Sequence, residues 1–96
     1  MSAYMIVNVD VRDPAAYEEY KNKVPALIRK YGGEYLVRGG KCVVMEGGWN
    51  PARLVLLKFP DLASAQAFFL DPEYQPLKAV RQQVSTADIV AVEGLI

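Results

Sequence analysis

The residues of this 96-residue chain best suited to chemistry are arginines and tyrosines, joined by a few polar positions set among apolar ones. Arg38 stands at the end of a strand-like segment, directly before Gly39-Gly40, where its planar fork could hold the carboxylate or enolate of a small substrate. A salt bridge to an acidic neighbour or to a partner subunit accounts for the same residue equally well. Trp49-Asn50-Pro51 with Arg53 is the most distinctive segment. An indole in a glycine-flanked loop can roof a pocket, and Arg53 could reach a bound anion. Trp and Arg are also favoured anchors between subunits, which weighs toward Trp49 packing across a dimer contact. Both roles hold if the pocket borders the interface. Asn8 and Asp10 could supply an orienting amide and a general base, or lie at the wet end of a sheet, or pair with Arg38. Tyr17 could donate a proton to an oxyanion from the mouth of a helix, while Tyr20 on the same helical face reads as core. Tyr74 and Arg81 could close the same region or form a hydrogen bond between subunits. The catalytic candidates are therefore Asp10, Tyr17 and Arg38. The ligand-binding candidates are Asn8, Arg38, Trp49, Arg53, Tyr74 and Arg81.

Several chemistries are excluded by composition. The chain has no histidine and one cysteine, Cys42. Ser–His and Cys–His nucleophile pairs, a two-His-one-carboxylate iron site and an imidazole base are all impossible. So are an intrachain disulfide and a cysteine-based zinc cluster. No metal and no cofactor is expected. Nothing near Cys42 would activate a thiolate, and it is expected to behave as a small buried hydrophobe. Gly47-Gly48 is too short for a phosphate-binding loop.

Charge narrows the partners. Lys plus Arg and Asp plus Glu both number 11, with no basic stripe, so nothing favours nucleic acid or an anionic membrane surface. No apolar run approaches the ~20 residues that span a bilayer. Met1-Ser2-Ala3-Tyr4 lacks the charged and apolar regions of a signal peptide, so a cytoplasmic location is expected.

The elements that must position these residues can be read from periodicity. Residues 3–11 alternate as a strand, with Met5, Val7, Val9 and Val11 on one face and Tyr4, Ile6, Asn8 and Asp10 on the other. Asp13-Pro14 opens a helix as N-cap and first residue. Tyr17, Tyr20, Val24, Leu27, Ile28 and Tyr31 form its inner face, Pro25 should bend it near Lys21, and Gly32-Gly33 ends it. Residues 34–39 and 41–46 are both strand-like, and a glycine bulge at Gly39-Gly40 within one long strand is favoured over a hairpin. A loop at 47–51 leads to a strand over 53–59. Asp61 caps a second helix with Leu62, Ala65, Phe68 and Phe69 inward. After Asp71-Pro72 a turn at 72–75 should lead into a helix near 76–84, and 88–93 forms the last strand.

The order β-α-β-β-α-β, with an extra short helix, predicts a single α+β domain over residues 1–96. It is of ferredoxin-like architecture, an antiparallel sheet with its helices on one face. The opposite face would still carry Tyr4, Ile6 and residues of the 53–59 and 88–93 strands. Apolar surface of that kind predicts a homodimer packed sheet against sheet.

At this level of detail the chain resembles the domain-of-unknown-function family 1330, a branch of the dimeric α/β-barrel superfamily. The resemblance rests on Ala3-Tyr4, Asp13-Pro14-x-x-Tyr17, Tyr31-Gly32-Gly33 and Tyr35-Leu36-Val37-Arg38-Gly39-Gly40. It continues through Glu46-Gly47, Trp49-Asn50-Pro51-x-Arg53, Phe59-Pro60, Asp71-Pro72-Glu73-Tyr74, Arg81 and Glu93-Gly94, nearly the whole chain. The resemblance implies a fold and a dimer rather than a reaction. Wider relatives include cofactor-free monooxygenases, lactone isomerases, chlorite-dismutase-like haem proteins and structural members. A haem role of the usual kind would need a histidine that this chain lacks.

Two functions stay open. One is a metal-free, cofactor-independent enzyme acting on a small anionic or enolisable metabolite, with Arg38 or Arg53 as anion clamp and Asp10 or Tyr17 in proton transfer. The other is a non-catalytic dimeric module that binds a metabolite or a protein. A closed cavity with converging Arg, Tyr and Asp groups would favour the enzyme; a filled one with every Arg paired would favour the module.

Overall fold

A computed structural model describes all 96 residues. The chain runs β1 (Ala3–Val11), α1 (Pro14–Lys30), β2 (Glu34–Arg38), β3 (Leu54–Phe59), α2 (Leu62–Leu70), α3 (Tyr74–Val84) and β4 (Ser85–Glu93). The strands form one antiparallel sheet in the order β2-β3-β1-β4. This is the split βαβ arrangement expected of a ferredoxin-like fold. α1 begins as the sequence reading requires: the Asp13 carboxylate accepts from Ala16 N–H at 3.2 Å, and Pro14 occupies the first turn. It ends where Gly32 takes a left-handed φ of 76° and Gly33 N–H returns to Ile28 O at 2.9 Å.

The core lies between the sheet and the helices. Met5, Val55, Leu57 and Phe59 from the strands meet Val24, Leu27 and Ile28 of α1 and Ala65, Phe68 and Tyr74 of the other helices. Phe59 and Tyr74 are almost completely buried, and Phe68 stacks against both with centroids 5.7 and 4.7 Å away.

Three expectations are corrected. Residues 41–46 are not a strand: from Gly40 to Asn50 the backbone is irregular and exposed. Gly39 N–H already bonds Leu54 O at 2.8 Å, which closes the β2–β3 ladder and leaves no adjacent strand for the following segment to pair with. Cys42, expected to be buried, is exposed on this segment for the same reason. The third correction is that the bulge sits at Leu36 rather than Gly39-Gly40, between the pairs Tyr35–Leu57 and Val37–Leu56.

Two boundaries also move. α3 starts at Tyr74, two residues before Pro76, because a proline in the first turn forfeits only an N–H that has no helical partner. β4 starts at Ser85 because its pairing with β1 extends to Val11–Ser85, and Arg12 donates to Gln83 O at 3.1 Å at the end of α3.

The face of the sheet away from the helices is apolar in a continuous row. Val37, Leu56, Ile6 and Val90 follow one another in register across β2, β3, β1 and β4. Tyr4 and Val92 pair beside them. No helix is long and apolar enough to cross a membrane.

Candidate functional site

A cavity of about 40 Å³ lies between the helices and the sheet, beneath α1 and α3. This exceeds the ~10–15 Å³ that one water requires. Its walls include Val7, Val55 and Phe68, and its polar groups are Tyr17, Tyr20, Tyr35, Tyr74, Arg38, Arg53 and Arg81, with Lys21 at its edge. No carboxylate lines it.

Each polar group arrives there for a local reason. Tyr17, Tyr20 and Lys21 lie on the sheet-facing side of α1. Tyr74 and Arg81 stand seven residues apart on α3, two turns along one face. Arg38 depends on the bulge. Without an extra residue, Tyr35 and Arg38 would point to opposite faces of β2. Leu36 shifts the alternation by one, so that Arg38 comes opposite Val55 and joins Tyr35 on the helix side. The Arg38 guanidinium then sits 4.5 Å from the Tyr35 ring centroid and donates to Lys21 O at 2.8 Å. Arg53 immediately precedes β3, with its carbonyl accepting from Val9 N–H at 2.9 Å. Its guanidinium lies against Gly39, where a Cβ would come within 2.7 Å of Cζ and Nη1. Glycine at 39 is required twice, by that approach and by a φ of 73°.

Two arginines are left without partners. Arg81 is only 5% exposed, and its Nε is buried with no hydrogen-bond acceptor. The half-buried Arg53 also has a buried, unpartnered Nε. No carboxylate is within ion-pair distance of either one, since the ion pairs are Lys21–Glu18, Lys23–Glu19 and Lys30–Asp71.

Three of the cavity's phenols are held in their neutral form. Burial pushes the Tyr17 phenol above its ordinary pKa, although Arg53, Arg81 and Arg38 pull the other way. Tyr20 is raised strongly, by burial first and then by Tyr74, whose hydroxyl lies 2.9 Å from its own. Tyr35 is raised by burial against the pull of Arg38. At neutral pH these phenols keep their protons and can donate hydrogen bonds to an anion.

An outer groove adjoins the cavity. Tyr17, Lys21 and Arg53 line both, and the groove adds Asp10, Glu18 and Gly39 around a space of about 420 Å³. The structure therefore brings together Tyr17, Arg38, Arg53, Tyr74 and Arg81 in the cavity, with Asp10 exposed in the groove outside. Asn8 does not join them. It pairs with Leu54 and Asp88 on the sheet's other face, where its Oδ1 is buried without a partner. Trp49 is also elsewhere, 63% exposed beside Val43, Met45 and Leu54. Tyr20, Tyr35 and Lys21 were not among the candidates. Tyr20 looked like core, and the inward turn of the 35–38 segment depends on a bulge that no glycine marks. Nowhere do three or more His, Cys, Asp or Glu side chains converge as a metal site would need.

Residues 2–95 match the family described as Domain of unknown function (DUF1330). No curated protein matches the chain in sequence. Among solved structures, it is similar to a protein of unknown function from Rhodopseudomonas palustris at 16% identity and a TM-score of 0.76, over 99% of this chain and 83% of that one. SnoaB, a cofactor-independent oxygenase from Streptomyces nogalater, shares 11% identity at a TM-score of 0.66, over 99% and 94% of the two chains. A dimeric ferredoxin-like protein of unknown function from Jannaschia sp. CCS1 shares 14% identity at 0.64, over 98% and 100%. At these identities the likeness is one of fold.

Proposed function

Because the chain belongs to the DUF1330 family, whose description names no reaction, we propose its function from the cavity: it binds a small organic anion and stabilises negative charge on one of that molecule's oxygens. The observation that carries this reading is Arg81, a buried guanidinium with no acceptor for Nε and no counter-ion. An unpaired buried charge is costly, and a guest carboxylate or enolate would supply what the fold withholds. Arg38 and Arg53 add positive charge, and Tyr17 donates a hydrogen bond to the same oxygen.

The arrangement suits an enolisable substrate whose charge grows as it reacts, with the protein providing preorganised donors and no bound metal or cofactor. The similar fold of a cofactor-independent oxygenase supports a small organic substrate. A second reading, binding without turnover, is favoured by the lack of any carboxylate in the cavity wall. Asp10, the carboxylate candidate, is exposed in the outer groove on a β1 face that alternates away from the cavity, which favours the same second reading. We place the protein in a homodimer through the apolar row Val37–Leu56–Ile6–Val90, a reading supported by the dimeric relative of the same fold.

The test is a thermal-shift panel of small carboxylates on wild type and Arg81→Met. Removing an unpaired buried charge should raise the Tm of the ligand-free protein and abolish every ligand-induced shift. A variant that responds to ligands as wild type does would sink the proposal.

A further inference from the structure

We infer that the natural ligand is a short dicarboxylate, held at one end inside the cavity by Arg81 and at the other in the outer groove by Arg53. This rests on the anion-binding reading above and adds a second anionic position to it. Both unpartnered guanidiniums line the cavity, but only one of them also reaches the outer groove. Arg81 lines the cavity and takes no part in the outer groove, whereas Arg53 lines both. Arg81 is nineteen-twentieths buried and lines a cavity of only about 40 Å³, which suits a compact group such as a carboxylate or an enolate oxygen.

Arg53 lies at the junction of the two spaces, flat against the Cβ-less Gly39. Asp10 and Glu18 share its groove, yet neither is within ion-pair distance of it. Glu18 instead pairs with Lys21 at 3.5 Å. A planar fork with a buried, unpartnered Nε and no ion pair to the carboxylates of its groove keeps its donors free for a guest acceptor. Tyr17 lines both spaces and can donate a hydrogen bond to the middle of the ligand. The apolar walls at Val7, Val55 and Phe68 fit a short hydrocarbon spacer.

The experiment is titration calorimetry of the intact protein with succinate and glutarate against butyrate and valerate, acids of matching chain length with one carboxylate fewer. The dicarboxylates should bind at least tenfold more tightly than their monocarboxylate counterparts. Arg53→Gln should reduce that advantage to less than twofold, with circular dichroism checking its fold. Equal binding of the two series to wild type would overturn the second anionic position while leaving the anion site standing. Binding of neither series would overturn both. The wild-type comparison decides the inference even if Arg53→Gln does not fold.

Discussion

The Arg38 guanidinium donates to the backbone carbonyl of Lys21 at 2.8 Å, and that carbonyl is the one Pro25 leaves without its helical donor. In an uninterrupted helix the N–H of residue 25 would bond it. The proline in α1 thus presents an acceptor to the arginine that the Leu36 bulge turns toward the same side. Pro25→Ala should restore the helical bond and stabilise the fold by about 1–2 kcal/mol, once helix propensity is set against the stiffness that proline gives the unfolded chain. With its anchor taken, Arg38 should hold an anion less well, weakening affinity by about tenfold. Chemical denaturation and calorimetry on one preparation measure both effects. A stabilised variant with unchanged affinity would show that Lys21 O does not position Arg38 for binding.

Gly39→Ala and Gly47→Ala make a matched pair. Both glycines have positive φ, 73° and 88°, so each substitution should cost about 1–2 kcal/mol of backbone strain. Only at Gly39 would the new methyl meet a side chain, the Arg53 guanidinium at 2.7 Å; a methyl on Gly47 would have nothing within 4 Å. Anion affinity should therefore fall in the first variant and hold in the second. Equal affinities would mean that the seating of Arg53 on Gly39 is irrelevant to the site.

Much of this is legible in the amino-acid sequence. Asp13-Pro14, Gly32-Gly33 and Asp61 mark helix ends by their own backbone chemistry, and the alternation of residues 3–11 assigned faces to β1 correctly. That alternation also put Asn8 opposite the Met5–Val7–Val9 face, and in the structure it lies away from the cavity. What could not be read was parity in β2, because the extra residue is an ordinary leucine with no left-handed φ to demand glycine. The 41–46 segment misled for a different reason. Strand propensity describes a fit to a neighbouring strand, and within one chain none is adjacent. Arg81 could be named as a candidate, but its lack of a counter-ion depends on which acids the fold brings near.

Asp71 should control the acid stability of the fold. Its buried carboxylate accepts from the Tyr31 hydroxyl, from Glu73 N–H at 2.7 Å and from Lys30 Nζ at 3.2 Å, joining the end of α1 to the α2–α3 turn. The Tyr31 bond is the main reason its pKa falls below the usual carboxylate value, and the same bond raises the Tyr31 phenol. A depressed folded-state pKa contributes stability that is fully present above the unfolded value near 3.8 and is lost as pH drops through the folded one. Asp71→Asn should lower Tm by several degrees at pH 7, with the gap to wild type closing below about pH 4. A gap that persists unchanged into strong acid would assign the loss to packing rather than to charge.

The Tyr20–Tyr74 pair should be non-additive. The two hydroxyls are 2.9 Å apart, and Tyr74 is almost wholly buried. Tyr20→Phe removes the bond and strands the Tyr74 hydroxyl in the core, so it should cost about 1–3 kcal/mol, and Tyr74→Phe should cost a similar amount. Removing both hydroxyls leaves no orphan, and the double variant should be no worse than either single one. Urea denaturation of the four proteins yields the coupling. Strict additivity would mean that water already satisfies each phenol separately and that the cavity is wet at this end.

The sheet's outer face gives the last test, in a place where ligand and fold can be separated. Ile6 is bracketed by Leu56 and Val90 in register at the centre of the apolar row. Its side chain faces away from the cavity, so a charge there leaves Arg81 and Tyr17 untouched. Ile6→Glu should convert a dimer into a monomer at micromolar concentration, because a carboxylate buried in an apolar interface would be desolvated without a partner. Sedimentation velocity reads the mass directly. Exposed Asp10, at the far polar end of the same face of β1, supplies the control: Asp10→Asn should leave the mass unchanged. If Ile6→Glu remains dimeric, the subunits meet elsewhere, and the exposed 40–50 segment bearing Val43, Met45 and Trp49 becomes the surface to examine.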